Sequence, residues 1–297
     1  MKRLSFRTLL YWLAPTAGVG TLAGQGRSPA VSDEIRIDTI SGFQSQLLER
    51  PPTVRVFLPG GYQHGAARYP VLFANDGQDM ERVGLVRVID SLVKGGTMPP
   101  VIVVAIDAGE DRLQNYGTSG QVNAQGLGGR AHTYSLFLLE ELWPLIEKRY
   151  QTRPRDAAIM GWSLGGLSAF DIAWRNSDKI SRVGVFSGSF WWRTDDSSPE
   201  AKQVSRIMHG TVRNTAPPAP LRAWFQVGRQ DEKDDRDMNG VIDAIQDTRE
   251  LIDAMTARGM REGVDIGYLE VDGGHDPETW GAALPHFLVW AFGTSQH

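Results

Sequence analysis

Five short apolar runs constrain this chain more than any other feature: YPVLFAND (69–76), VIVVAID (101–107), AAIMG (157–161), RVGVFSG (182–188) and RAWFQVG (222–228). Each is continuous rather than alternating, as strands are when helices cover both faces of their sheet. Between and after them come stretches with apolar residues at helical spacing. One is SLFLLEELWPLIEKRY (135–150); another is IDAIQDTRELIDAMTARGM (242–260), with Ile242, Ile245, Leu251, Ile252 and Met255. A last strand, IGYLEV (266–271), precedes a closing helix in TWGAALPHFLVWAFG (279–293). By contrast, DEIRIDTI (33–40) and TVRVFLP (53–59) alternate polar and apolar, which suits an antiparallel pair at a sheet edge. Alternating β and α predicts an α/β fold: a mainly parallel, doubly wound sheet with helices on both faces and an antiparallel N-terminal edge. The 297 residues suffice for one large core, and no repeat or linker divides 31–297, which is expected to form a single domain.

Three stretches exceed a minimal core. They are the glycine-rich 117–130, an excursion over 191–220 with one short helix and a proline-rich return, and the very polar 228–240. All three follow strand C-terminal ends, where doubly wound sheets bind ligands.

The segment AAIMGWSLGGLSAF (157–170) sets Ser163 between Gly161 and Gly165. G-x-S-x-G alone is a weak signal, and a glycine-rich packing turn would read the same. Here an apolar strand runs straight in and a helix-compatible stretch runs straight out, the setting of a nucleophile elbow. The turn strains the serine backbone, and side chains at Gly161 and Gly165 would collide with the adjoining strand and helix.

A serine nucleophile needs a base. Six histidines are available. His286 lies among apolar residues of the closing helix and His297 ends the chain. His64 and His209 sit in polar surroundings and are expected to be exposed, and His132 follows the glycine-rich loop. His275 stands directly after the last strand, in EVDGGHDPETW, with Gly273 and Gly274 expected to let the chain turn. The orienting acid should follow a strand between serine and histidine. Asp231 is nearest the end of RAWFQVG, and Glu232, Asp234 and Asp235 are rivals. The oxyanion calls for two backbone donors, one from Leu164 and one from Gly77 or Gln78 in the NDGQDM loop.

Together, VRVFLPGGY, YPVLFANDGQ, the arginine–tyrosine spacing of DRLQNYG, GWSLGGLSAF, SGSFWW, VGRQD and GGHDPETW resemble the esterase D-like family of α/β-hydrolases over roughly 33–293. That family includes feruloyl and acetyl-xylan esterases, S-formylglutathione hydrolases, siderophore esterases and mycolyltransferases. The resemblance implies the α/β-hydrolase fold and a serine carboxylic-ester hydrolase working through an acyl-enzyme without a cofactor. Ser163 would be nucleophile, His275 base and Asp231 acid, with oxyanion donors at Leu164 and Gln78. An acyltransferase would use the same residues with an alcohol in place of water. A non-catalytic module holding carbohydrate or siderophore would instead rely on the tryptophans. Trp162, Trp191 and Trp192 either line a substrate pocket, stacking on a sugar or aryl group, or merely cover the rim of the core.

DRDMNGVID (235–243) resembles the front half of a calcium loop through Asp235, Asp237 and Asn239, but Gln246 stands where a bidentate glutamate belongs. A solvated loop capping the next helix is the favoured reading, and no metal is expected.

A net charge of −4 offers no field for nucleic acid or anionic lipid, and the absence of cysteine excludes disulfides, thiolate nucleophiles and cysteine metal sites. MKRLSFR followed by an uncharged 8–24 is laid out like a signal peptide within a leader over 1–30. Secretion or periplasmic export follows from that reading, and a cytoplasmic location if the leader is not a signal. No other stretch approaches the length of a membrane span. The expected partner is a small-molecule or saccharide-linked ester. Oligomeric state is not legible.

Overall fold

The structure, a computed structural model, describes residues 34–40, 42–63, 67–218 and 220–293; the leader, His64 and His297 lie outside them. Eight strands, β1 (Arg36–Ile40), β2 (Val54–Leu58), β3 (Tyr69–Ala74), β4 (Ile102–Ile106), β5 (Thr152–Trp162), β6 (Arg182–Phe186), β7 (Arg222–Gln230) and β8 (Ile266–Gly274), form one sheet. Their order is β1-β2-β4-β3-β5-β6-β7-β8. β1 pairs antiparallel with β2, and β2 with β4; from β4 to β8 every pairing is parallel. The alternating runs thus form the antiparallel edge and the continuous runs the buried parallel sheet.

The helices are α1 (Leu85–Lys94), α2 (Arg112–Asn115), α3 (Ala131–Leu136), α4 (Trp143–Arg149), α5 (Ser163–Arg175), α6 (Pro199–Val204), α7 (Ile207–Asn214), α8 (Asp243–Ala257) and α9 (Pro277–Phe292). A π-helical stretch, Phe137–Leu142, joins α3 to α4 just before Pro144, which lacks the N–H that a regular helix would use there.

Strand alternation divides the core. Val71, Phe73, Ile159, Val183, Val185 and Phe225 pack with Leu138, Leu167, Phe170, Leu251 and Met255 on one face. Leu72, Ala74, Ala158, Met160, Trp162 and Phe186 pack with Leu85, Ile89, Leu284 and Phe287 on the other. α1 and α9 therefore cover one face, and α3–α5, α7 and α8 the opposite one. Among the described residues no helix is long and apolar enough to cross a membrane.

The excursion over 191–220 holds two helices, not the single one expected. The chain breaks at Ser205–Arg206 because Arg206 is buried whole, with its guanidinium ion-paired to Asp247 and Glu250 of α8. His209 is likewise buried rather than exposed. Its Nε2 lies 2.8 Å from the Asp247 carbonyl oxygen, and burial next to Arg206 lowers its pKa to about 3.

Candidate active site

β5 passes into α5 without a loop. Trp162 is still extended, Ser163 adopts φ 55°, and the helix starts there. A left-handed serine is strained by about 1 kcal/mol or more, so its surroundings must hold it. A Cβ on Gly161 would strike the carbonyl of Gly165, and one on Gly165 would strike the Asp76 carboxylate. Asn75, just past β3, donates from Nδ2 to the Gly165 carbonyl (2.8 Å) and accepts from the Tyr134 hydroxyl (2.7 Å). The Ser163 carbonyl accepts from the Ser189 N–H (3.1 Å). The turn is thereby fastened to the ends of β3 and β6. Ser163 itself stays half-buried, with Oγ 3.4 Å from Ser189 Oγ.

Asp231 follows β7, its side chain 1% exposed. Oδ1 accepts from the Ser187 hydroxyl (3.0 Å), while Oδ2 is buried without a partner among the described residues. His275 follows β8, and its Nδ1 lies 3.8 Å from Asp231 Oδ1. Its ring is 40% exposed and meets Trp280 edge-on at 5.3 Å. Among the described residues no hydrogen bond joins Ser163 to His275. The two strand ends draw together because Gly228 has no Cβ to strike the Gly273 carbonyl. Gly273 and Gly274 act by leaving space rather than by turning, since neither is left-handed. A Cβ on Gly273 would meet Thr279 Oγ1 at 2.5 Å. Asp276 then caps α9 by accepting from the Thr279 N–H (2.9 Å), which fixes the chain beside His275.

Of the rival acids, Asp235 is engaged within its own loop. Asp235 accepts from the Asn239 and Gly240 N–H groups, and Asp237 from Gln246. These contacts tie the calcium-like loop to itself, and among the described residues no group of three or more His, Asp or Glu is placed to hold a metal. Glu232 is pushed up to about 7 by burial, against an opposing hydrogen bond from the Ala244 backbone.

After β3, Asp76 is also left-handed (φ 54°) and starts a short 3-10 turn over Gly77–Asp79. Gly77 is wedged against β4, where a Cβ would lie 2.8 Å from the Ala105 and Ile106 backbone. Asp76 is gripped by Arg112 through Nε (2.7 Å) and Nη2 (3.0 Å), and its N–H donates to the Tyr116 hydroxyl (3.1 Å). Burial raises its carboxyl pKa and Arg112 opposes the rise. This contact accounts for the arginine–tyrosine spacing of DRLQNYG. The Gln78 side chain accepts from the Ala108 N–H (3.0 Å) and donates to Asp76 (3.2 Å). The backbone N–H groups of Leu164 and Gln78 each belong to a first turn, where no intrahelical acceptor exists, and neither turn has a side-chain cap.

Two of the three tryptophans are core residues rather than open pocket walls. Trp162 is 2% exposed and stacked on Trp280 (5.5 Å, 9°); Trp192 is 1% exposed, packed against Gly117 and Gly128 of the glycine-rich loop. Trp191, 39% exposed, alone presents a ring to solvent. His132 and His286 are exposed.

An eight-stranded sheet with this order, and a strained serine at its central strand–helix turn, define the α/β-hydrolase class. The profile of the "Putative esterase" family matches residues 45–291, and the chain belongs to that family of carboxylic ester hydrolases. Among curated proteins it is similar to the uncharacterized protein YbbA of Bacillus subtilis (strain 168), at 19% identity over 81% of this chain and 92% of that one. It is also similar to the iron(III) enterobactin esterase of Dickeya dadantii (strain 3937), at 23% identity over 85% of this chain but only 54% of the longer relative. Solved structures of like fold include a ferulic acid esterase (TM-score 0.66, 22% identity, 88% of this chain and 98% of that one). Another is the enterobactin esterase of Shigella flexneri (TM-score 0.64, 20% identity, 87% and 59%).

Proposed function

We propose that this esterase works through Ser163, His275 and Asp231 with an acyl-enzyme intermediate. The observation that carries the reading is the left-handed Ser163, held by its neighbours at the strand–helix turn with its hydroxyl engaged only in a long 3.4 Å contact with Ser189 Oγ among the described residues. Ser163 Oγ attacks the ester carbonyl as His275 Nε2 takes its proton. The oxyanion rests on the N–H groups of Leu164 and Gln78, aided by the positive end of α5. Asp231 holds Nδ1 and stabilises the imidazolium. His275 returns the proton to the departing alcohol, and water, activated by the same imidazole, clears the acyl group. The 3.8 Å between Asp231 and His275 must shorten by about 1 Å to reach hydrogen-bonding range, and the imidazole must close on Ser163 as well, as catalytic contacts without substrate commonly do. No step calls on a cofactor.

The substrate we infer is a small-molecule or saccharide-linked ester, with Trp191 offering a face to an aryl or sugar ring. The ferulic acid and enterobactin esterases of like fold agree with that class. A leader cleaved within 1–30 would place the enzyme outside the cytoplasm, and sequencing the N-terminus of protein recovered from its host tests this.

The decisive experiment measures p-nitrophenyl ester hydrolysis from acetate to octanoate, alongside feruloyl esters, for wild type, Ser163→Ala and His275→Ala. Turnover by wild type and its loss in both folded variants supports the assignment. Undiminished turnover in Ser163→Ala overturns it. Adding glycerol as competing acceptor separates hydrolysis from acyl transfer.

A further inference from the structure

The end of β6 supplies contacts that the triad reading leaves without a role. Ser187 is left-handed (φ 48°), though nothing about its position as the first residue past a strand requires it to be serine; glycine would adopt the angle at no cost. Its N–H donates to the Gln226 carbonyl (2.7 Å) of β7. Its hydroxyl sits between two partners, the Trp280 indole (Nε1, 2.9 Å) and Asp231 Oδ1 (3.0 Å).

The chemistry of these partners fixes the proton. An indole N–H can only donate, so Ser187 Oγ must accept from Trp280. The one hydroxyl proton is left for the carboxylate. The result is a directed chain, Trp280 to Ser187 to Asp231, that delivers a donor to one oxygen of a carboxylate whose side chain is 1% exposed. The other oxygen, Oδ2, has no partner among the described residues. The same indole lies edge-on to the His275 ring (5.3 Å) and is itself clamped by stacking on Trp162, the residue before Ser163.

Building on the triad reading above, we propose that Ser187, oriented by Trp280, is a positioning residue. It pins Asp231 through Oδ1 and leaves the remaining carboxylate lone pairs for His275 Nδ1. The backbone strain at Ser187 is tolerated because a hydroxyl is needed at that point. Trp280 ties the position of the acid to that of the imidazole through one rigid ring.

The test compares Ser187→Ala, Ser187→Gly and Trp280→Phe with wild type on one p-nitrophenyl ester. Active sites are counted by a fluorophosphonate, and thermal midpoints are recorded. Ser187→Gly removes the hydroxyl while relieving the left-handed strain, so fold stability and catalysis are separated. The expected result is a fall in kcat of about tenfold to a hundredfold in both Ser187 variants, the loss of one hydrogen bond to a charged group, with KM within twofold. Trp280→Phe keeps the ring but frees the hydroxyl to rotate, and gives a smaller fall of the same kind. A kcat within twofold of wild type in Ser187→Gly overturns the proposal. So does a fall in kcat that tracks a fall in thermal midpoint across all three variants. A wild type inert toward every ester and toward the fluorophosphonate instead overturns the triad reading, and this role with it.

Discussion

The two ends of the sheet are built on opposite terms. At the C-terminal ends, β3, β5 and β6 each give way to a left-handed residue that is not glycine: Asp76, Ser163 and Ser187. Asp231 and Glu232, just past β7, each keep a buried carboxylate oxygen without a partner among the described residues. At the N-terminal ends the charges are neutralised. Arg182 donates to the Ala291 carbonyl (2.7 Å) at the end of α9, ion-pairs with Asp156 and lies over the Phe292 ring (4.7 Å). Arg222 donates to the Val264 carbonyl and lies over Trp290 (4.5 Å). Arg153 completes the pairing of Asp156 (2.8 Å). Cations at a helix C-terminus stabilise its dipole, so this end is built for strength. Left-handed residues are more numerous at the end where chemistry is proposed, although the arginine end also holds left-handed Arg155 (φ 57°) and a buried Arg182 Nε without a partner among the described residues. The ion pairs of the arginine end supply part of the stability that lets the strain persist.

The largest effect that sharpens this contrast belongs to Ser163. Ser163→Gly should relieve backbone strain and raise stability by about 1 kcal/mol while lowering kcat by about 10⁴-fold or more. Urea unfolding and ester turnover on one preparation check both signs. A variant that loses stability would show that the left-handed serine is not strained by its setting. At the other end, Arg182→Ala should cost about 3 kcal/mol, because it strips an inward-facing cap and leaves Asp156 half-paired, yet leave kcat within about twofold. If kcat falls with stability, the two ends are coupled and the division fails.

Much of this arrangement is written in local pattern, and the rest is not, for identifiable reasons. The continuous runs identify the parallel strands because burial on both faces removes the need for polar alternation. The same alternation also holds the answer for Trp162: Ala158, Met160 and Trp162 share a face by period two, away from Ile159, so its side chain belongs under α9 with Trp280. α1 carries its own signal in Leu85, Val88 and Ile89, bounded by Gly84 and Gly95. His209 carries a signal that its own polarity masks: Ile207, Met208 and Val212 around it are apolar at helical spacing, and the Arg206–Asp247 pair locks that face of α7 onto α8. Ser187 is silent, since its partners lie 44 and 93 residues away and nothing in SGSF marks a backbone angle.

Glu232 provides the smallest and most selective probe of the strained end. Burial raises its folded pKa to about 7, above its ordinary value near 4.5. Between those two values the folded state holds a proton that the unfolded state releases, so this group's contribution to stability is present below about pH 4.5 and is lost as pH rises toward 7. His209 has the opposite slope. Its folded pKa is lowered to about 3, so the unfolded state alone takes up a proton as pH falls below about 6.5, and stability declines in that direction. The two trends cancel in part, and the raw pH profile of wild type cannot isolate either. The difference between wild type and Glu232→Gln can. In urea unfolding at pH 5 and pH 8, the variant should gain about 1 kcal/mol relative to wild type on going to the higher pH, a figure reduced for the partial exposure of the carboxylate. No change in that difference between the two pH values would mean that the fold does not hold the buried Glu232 carboxyl protonated.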